Sequence, residues 1–122
     1  MKTIPTLRDK KRYIAFEVIS EQKISRQDLS DEFLKSTHSL FGDAGSSDMN
    51  ISLMSYDGNY GIIRCQREMT MNTRAALACV NRIKGSRISI LVLGISGTIK
   101  GATEKFIQVT RINEAEPDIN DR

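Results

Sequence analysis

Residues 49–67 read MNISLMSYDGNYGIIRCQR and predict a β-hairpin. In the first arm, apolar residues at positions 49, 51 and 53 alternate with their neighbours at the period of two that marks a half-buried strand. Asp57, Gly58 and Asn59 then give a strong hairpin-turn signal. Tyr60 to Arg67 completes the pair. This segment therefore predicts two adjacent antiparallel strands at the centre of the chain.

Upstream of the hairpin, the sequence predicts one strand and one helix. Arg12 to Ile19 alternates in the manner of a half-buried strand. Ser25 with Asp28 three positions later resembles a capping box and predicts the start of a helix. The helix should end at Gly42, and residues 43–48 are small and polar, which is typical of a loop. The expected buried stripe of this helix consists of Leu29, Phe33, Thr37 and Leu40.

Downstream of the hairpin, a second helix is predicted from about Asn72 to Lys84, with Gly85 just past its end. Ile88 to Ile95 predicts a strand that is apolar on both sides, so we expect a third helix or another chain to cover both of its faces. The glycine-rich turn at 94–101 leads into that third helix. The expected apolar residues are Ala76, Cys79, Val80 and Ile83 in the second helix and Ala102, Phe106 and Val109 in the third.

The predicted order is βαββαβ followed by a helix. It indicates the α+β class, with a ferredoxin-like (RRM-like) antiparallel sheet and an added C-terminal helix. A chain of 122 residues suits one domain. We divide it into a basic N-terminal arm (1–11), one domain (12–112) and an acidic flexible tail (113–122).

The charge distribution suggests a polyanionic partner. The net charge is only +3, but residues 60–111 carry nine basic side chains against two acidic ones. Such segregation is typical of a protein that engages phosphates with one surface. No apolar run approaches the ~20 residues of a membrane span and no secretory signal is visible, so we expect a cytoplasmic protein without membrane contact.

An enzyme with its own catalytic centre is not indicated. His38 is the only histidine, and the sequence contains no GxSxG, HExxH or P-loop pattern. Cys65 and Cys79 lack a metal-ligand spacing, which predicts two small buried side chains and no metal site. An RRM-type surface for stacking bases is disfavoured, because the third strand offers only Tyr60 where several aromatic residues are needed. Binding to a structured RNA by charge and shape fits better.

Several basic groups are candidates for that contact. Lys10, Lys11 and Arg12 could form a mobile arm before the first strand. Arg74, Ala78 and Arg82 are spaced as a helical stripe, and Arg64 and Arg67 should point to opposite faces of the sheet. Gly97 with Lys100 and Lys105 could hold an RNA phosphate at a helix N-terminus. Alternatively, the same turn only needs a positive φ at Gly97 or Gly101.

Three segments resemble one family. Residues 12–18 (RYIAFEV), 60–68 (YGIIRCQRE) and 96–100 (SGTIK), the last followed by Lys105, Phe106 and Ile107, are similar to motifs of ribonuclease P protein component 2. That family is shared by archaea and by the eukaryotic ribonuclease P and MRP enzymes. The similarity covers about residues 10 to 112, and the short C-terminus favours an archaeal source.

The resemblance implies a non-catalytic subunit of the ribonucleoprotein that cleaves precursor tRNA at its 5′ end. The partners would be the ribonuclease P RNA, precursor tRNA, protein component 3 and a second copy, in a two-plus-two heterotetramer. No cofactor would be bound by the protein, since the magnesium would sit on the RNA.

By position, the resemblance makes Arg64, Arg67, Lys100 and Lys105 candidate RNA contacts. It also makes the strand residues Ile90, Leu91, Val92 and Leu93 a candidate protein interface. The alternative is a ferredoxin-like effector-binding or protein-interaction module that is not tied to RNA.

Overall fold

A computed structural model of the chain describes residues 10–49 and 51–115. The strands are β1 (Lys11–Ser20), β2 (Ser52–Tyr56), β3 (Tyr60–Gln66), β4 (Arg82–Ile83) and β5 (Ser86–Ser96). The helices are α1 (Arg26–Met49), α2 (Thr70–Ala78), α3 (Ile99–Ala102) and α4 (Gln108–Ala115). A 3₁₀ turn (Arg67–Met69) precedes α2, and a π turn (Thr103–Ile107) joins α3 to α4. We call residues 99–115 together the C-terminal helix.

The strands form one antiparallel sheet in the order β2-β3-β1-β5-β4. Leaving out the two-residue β4, this is the ferredoxin-like arrangement with the added C-terminal helix, so the predicted fold class is confirmed. The predicted hairpin is confirmed as well, but its first strand begins at Ser52, because residue 49 still belongs to α1. Gly58 has φ +103°, and the Asp57 carboxylate accepts hydrogen bonds from the backbone N–H groups of Asn59 and Tyr60.

The strand β1 has a buried residue on each face of the sheet. Ile14 and Phe16 are fully buried on the face that packs against α1 and α2, and Ala15 is fully buried on the opposite face. The first face carries the main core, built from Ile14, Phe16, Val18, Ile24, Leu29, Phe33, Ile63, Cys65, Ala76, Leu77, Val80, Ile83 and Ile88. We call this the helix face and the opposite one the second face.

The start of α1 is as predicted. The N–H of Asp28 donates to Ser25 Oγ at 3.2 Å, and Ile24 and Leu29 are both buried. Farther along, Leu40 is 45% exposed and Phe41 packs on the core instead, because 29, 33, 37 and 41 are each one turn apart.

The predicted loop after Gly42 is wrong. Gly42 does break the helix with φ +74°. The backbone nevertheless resumes a helical course through residue 49.

The second helix is shorter than predicted. It ends at Ala78, and Arg82 and Ile83 form β4. Lys84 (φ +51°) and Gly85 (φ +82°) supply the two left-handed positions of a tight β4–β5 turn, so Gly85 serves a hairpin rather than a helix end. Cys79 lies at the helix cap and is exposed, so its predicted burial is wrong, whereas Cys65 is buried as predicted.

The second face of the sheet is covered by the C-terminal helix. Its buried cluster comprises Ala15, Tyr60, Ile62, Ala102 and Ile107, with Tyr13, Met54, Leu93 and Phe106 packed against them. Val109 was predicted to share the buried face but is 48% exposed. The π turn inserts extra residues relative to a regular α-helix and rotates the later positions, so Ile107 points inward instead.

The expected coverage of β5 holds for only part of the strand. Ile88, Ile90, Val92 and Ile95 pack on the helix face. Leu93 follows the same alternation onto the second face, where the C-terminal helix covers it, and a bulge opposite Ala15 and Phe16 then returns Ile95 to the helix face. Leu91 lies before the bulge and remains 50% exposed.

Both predicted terminal segments need correction where they are described. Lys11 and Arg12 are paired with Gln66 and Cys65 inside the sheet, so they do not belong to a mobile arm. At the other end, helix α4 continues to Ala115 and includes the first residues of the predicted tail. Residues 1–9 and 116–122 lie outside the described residues. Among the helices described, none has the length and apolar character needed to span a bilayer.

Two glycines of β5 and the following turn provide a matched test of packing. A Cβ at Gly94 would overlap the ring of Phe106, whereas a Cβ at Gly97 would meet only Arg12 Nη1 at 4.0 Å. We therefore expect Gly94→Ala to lower the free energy of unfolding by about 1–3 kcal/mol through overpacking. Gly97→Ala should change it by less than ~0.5 kcal/mol. Urea denaturation of both variants measures the difference, and equal losses would contradict the proposed packing of Phe106.

Candidate nucleic-acid interface

The start of β1 and the ends of β3 and β5 meet at one end of the sheet. Tyr13 of β1 is paired with Arg64 of β3 on one side and with Ser96 of β5 on the other. Lys11 and Arg12 stand beside the last residues of β3. The cations that this topology collects are Lys10, Lys11, Arg12, Arg64, Arg67 and Lys100, and we call them the basic end.

Arg12 links β1 to the glycine turn. Its Nη1 donates to the carbonyl of Lys11 at 2.9 Å and lies 4.0 Å from the position of a Cβ on Gly97. Gly97 is not among the glycines with positive φ, which in the described residues are Gly42, Gly58 and Gly85. The predicted requirement for positive φ at Gly97 or Gly101 is therefore wrong. The absence of a side chain at Gly97 instead leaves the surface beside Arg12 open.

Arg64 and Gln66 lie near the end of β3, and their side chains are on the second face. Two buried side-chain atoms lack a hydrogen-bond partner within the described residues. They are the donor Nε of Arg64 and the acceptor Oε1 of Gln66. A buried donor without a partner costs about 1–3 kcal/mol.

Arg67 follows directly in the 3₁₀ turn. Its backbone N–H donates to the carbonyl of Lys10 at 2.8 Å, which fixes the two residues side by side. The Arg67 side chain is 46% exposed, and its Nη2 lies 3.6 Å from Glu68 Oε1. An exposed ion pair of this kind is weak, so the guanidinium stays available to a stronger anion.

The turn after β5 is organised by Thr98. This residue is the N-cap of α3, and its Oγ1 accepts a hydrogen bond from the Gly101 N–H at 2.9 Å. A Cβ on Gly101 would overlap Ser96 Oγ and lie 3.0 Å from Thr98 Oγ1, so the cap itself requires a glycine there. One of the helix N–H groups expected to meet a phosphate is thus used internally. Lys100 remains exposed on the first turn.

Three predicted RNA-contact residues lie outside the basic end. Lys105 is exposed in the π turn and Arg74 is exposed on α2. Arg82 sits in β4, at the opposite end of the sheet, and there it is paired with Arg87. The predicted stripe of Arg74, Ala78 and Arg82 does not exist, because the helix ends at Ala78.

The face on which RRM-type domains stack bases is closed. Tyr60 is 5% exposed beneath the C-terminal helix. The guanidinium of Arg111 lies 5.0 Å above the centre of the Tyr60 ring and forms an ion pair with Asp57. Arg111 therefore fastens the helix to the β2–β3 hairpin. Sequence reasoning missed this role, because the partner of Arg111 is more than 50 positions away along the chain.

No group of three or more His, Cys, Asp and Glu side chains converges within residues 10–49 and 51–115. A groove of about 1040 Å³ that is open to solvent lies far from the basic end. It lies where β4 and β5 begin, with Arg82, Arg87, Glu21 and Gln22 on its walls.

Comparisons with known proteins identify relatives over nearly the whole chain. The sequence model of the Rpp14/Pop5 family matches residues 12–107. The chain is 48% identical to "Ribonuclease P protein component 2" of Methanosarcina mazei, covering 88% of this chain and 92% of that protein. It is 41% identical to the protein of the same name in Pyrococcus horikoshii, with 88% and 92% covered. A chain in a cryo-EM structure of yeast ribonuclease MRP has a similar fold, with a TM-score of 0.63, 12% identity and coverage of 93% and 95%.

Thr98 allows a test of how the turn at the basic end is built. We expect Thr98→Ala to lower the free energy of unfolding by about 0.5–2 kcal/mol, since the Gly101 N–H loses its acceptor. Thr98→Ser keeps the hydroxyl and should retain most of the stability. Thermal or urea unfolding distinguishes the two. Equal losses in both variants would assign the effect to the methyl group rather than to the cap.

Proposed function

The chain belongs to the Rpp14/Pop5 family, and on that premise we propose that it is a protein subunit of ribonuclease P, the ribonucleoprotein that cleaves precursor tRNA to generate mature 5′ ends. The curated relatives support this proposal. The two that are described above are both named as ribonuclease P protein component 2, and the match covers most of their length. The observation within the molecule that carries it is the basic end.

In this proposal the basic end contacts the phosphate backbone of the ribonuclease P RNA. Strand pairing brings cations from positions 10–12 and 64–67 to one place, and Lys100 follows in the first turn after the paired end of β5. Glu68 is the acidic residue that the structure pairs with them. Because the second face is covered, base stacking contributes little, and affinity comes from charge and from the shape of the RNA backbone. Such contacts position a protein on RNA without reading a sequence.

The proposed role of the chain is to support the RNA rather than to cleave it. Magnesium ions held by the RNA would supply the chemistry of phosphodiester cleavage. Cations at the basic end would lower the electrostatic cost of folding the RNA, so less magnesium would be needed. Lys105 and Arg74, which are exposed outside the basic end, would add weaker peripheral contacts to the same polyanion.

The proposed protein partners are component 3 and a second copy of this chain, in a two-plus-two assembly that also meets precursor tRNA. The strand residues proposed for a protein interface are Ile90, Leu91, Val92 and Leu93. Ile90 and Val92 pack on the helix face, Leu93 packs under the C-terminal helix, and Leu91 alone of the four is half exposed. A partner at this strand would therefore meet Leu91 and the backbone more than the other three side chains.

The salt dependence of RNA binding tests the basic end. Lys100→Ala should remove about one released counterion, which makes the slope of log K against log salt shallower by roughly 0.7–0.9. Folding should change by less than ~0.5 kcal/mol, since Lys100 is exposed. Lys35→Ala is the matched control, because Lys35 is an exposed cation on α1 that pairs with Glu32. If Lys35→Ala lowered the affinity and the slope as much as Lys100→Ala, the RNA-binding surface would be misplaced.

Reconstitution tests the assignment as a whole. The purified chain alone should not cleave precursor tRNA, whereas the chain with cognate RNA and component 3 should cleave it at a lower magnesium concentration than the RNA alone. Cleavage by the chain without any RNA would disprove the supporting role. Failure of the chain to bind or stimulate the RNA, together with tight binding of a small metabolite, would favour the effector-binding alternative.

A further inference from the structure

The two edges of the sheet are protected to very different degrees. On the β2 edge, a register shift interrupts the pairing between Leu53 and Ser55, and the Arg26 guanidinium donates to the Leu53 carbonyl. A bulge and a capping side chain are devices that prevent further strand pairing. The opposite edge is formed by β5, where β4 covers only Ser86 and Arg87.

The backbone of β5 beyond β4 points hydrogen-bonding groups outward. The Ile88 N–H donates to the Asn81 carbonyl at 3.0 Å, so it faces the outer side. Strand geometry repeats every two residues, and the N–H and C=O groups of Ile90 and Val92 therefore face the same side. No strand of the described residues pairs with them there. From Ser89 to Leu93 the sheet thus presents an open edge of roughly 16 Å, at ~3.3 Å per residue.

The side chains next to this edge form a patch with two distinct parts. Leu91 and Ile19 are each 50% exposed on the second face, beyond the reach of the C-terminal helix. Arg82 and Arg87 lie beyond Leu91 toward the start of β5, and both are exposed. They stand directly opposite each other in the β4–β5 pair.

The arginine pair is unfavourable for the isolated chain. Like charges directly opposite each other across two strands are destabilising. Arg82 donates to the Gly85 carbonyl at 3.2 Å, and no carboxylate within the described residues forms an ion pair with either arginine. Glu21 lies on the wall of the same groove without such a pair. An external anion would relieve the repulsion.

We infer that the outer edge of β5 binds an extended segment of another protein, which adds a strand to the sheet and places carboxylates against Arg82 and Arg87. The open backbone edge and Leu91 would bind a polypeptide strand, and the arginines would select acidic residues at one of its ends. An antiparallel segment would bring its C-terminal end to β4, so its acids should lie there. This inference does not depend on the proposed RNA-binding role of the basic end.

A second copy of this chain fits the edge poorly. If two β5 strands paired antiparallel, the arginines of one copy would lie beside the end of β5 in the other. That end carries Gly97 and the nearby cations Arg12 and Lys100. Repulsion between these groups favours a different, acidic partner. An RNA strand could use the arginines but not the outward N–H and C=O groups together with Leu91.

The test uses the full chain, isotope-labelled for NMR, and the peptide Thr-Val-Thr-Val-Thr-Val-Asp-Asp as a probe. Titration should shift the amide signals of Ile90 and Val92 but not those of β2. A second peptide that is N-methylated at alternate residues, and so cannot pair along the edge, should bind at least tenfold more weakly. Equal binding of the methylated peptide, or shifts confined to β2, would overturn the proposal without any change to the protein.

Charge selection is tested with variants. Arg87→Ala should lower the affinity for the acidic peptide about two- to fivefold, as expected for one exposed ion pair. It should leave a peptide ending in Ser-Ser unaffected. Arg74→Ala, an exposed arginine on α2, is the matched control and should alter neither affinity.

Two further outcomes would overturn the inference. In one, Arg87→Ala lowers the affinity of the chain for a 16-base-pair RNA duplex, while the acidic peptide fails to bind. In the other, the chain alone forms a dimer that Leu91→Glu dissociates, as detected by sedimentation, and that dimer excludes the peptide.

Discussion

β1 is paired on both edges and covered on both faces, and this double enclosure constrains every other element. Ile14, Ala15 and Phe16 are completely buried in succession, which a strand in a one-layer sheet cannot achieve. One face requires α1 and α2, and the other requires the C-terminal helix. Phe16 lies against Gly61 of β3, and Phe106 lies against Gly94 of β5. A side chain at either glycine would push one of these aromatic rings off the sheet.

The covering of the second face decides where a partner can bind. A ferredoxin-like sheet with an exposed face can stack bases on aromatic residues. Here the C-terminal helix buries Tyr60, and Arg111 fastens that helix to Asp57. The sheet surface is therefore closed to base stacking, whereas the strand ends and the outer edge of β5 remain accessible. The cations of the basic end lie at strand termini, where antiparallel pairing collects residues that are distant in sequence.

The features that could be predicted from the sequence are those that depend on local periodicity. Alternation in residues 12–19 located β1, alternation at positions 49, 51 and 53 together with the turn at Gly58 located the hairpin, and Ser25 located the start of α1. The end of α2 could not be located, because Val80 and Ile83 are buried either on a helix or on a strand. The left-handed backbone conformations of Lys84 and Gly85 form the tight turn that makes Arg82 and Ile83 a strand rather than a helix end. The inward turn of Ile107 depends on a π turn that has no periodic signal in the sequence.

The same limit applies to the candidate sites. Lys11, Arg12 and Arg64 could be singled out by charge, but their meeting follows from strand register, which the pattern alone did not give. Arg82 shows the reverse error. Its spacing from Arg74 matches a helix, yet its structural neighbour is Arg87, across a two-residue strand. That pairing moves Arg82 from the surface proposed for RNA to the far end of the sheet, beside an edge that is open to a polypeptide. The chain therefore separates two chemically different surfaces along β1, whose ten residues span roughly 33 Å. That separation exceeds the ~8 Å over which exposed charges interact at physiological salt. An anion bound at one end therefore leaves the anion affinity of the other end essentially unchanged.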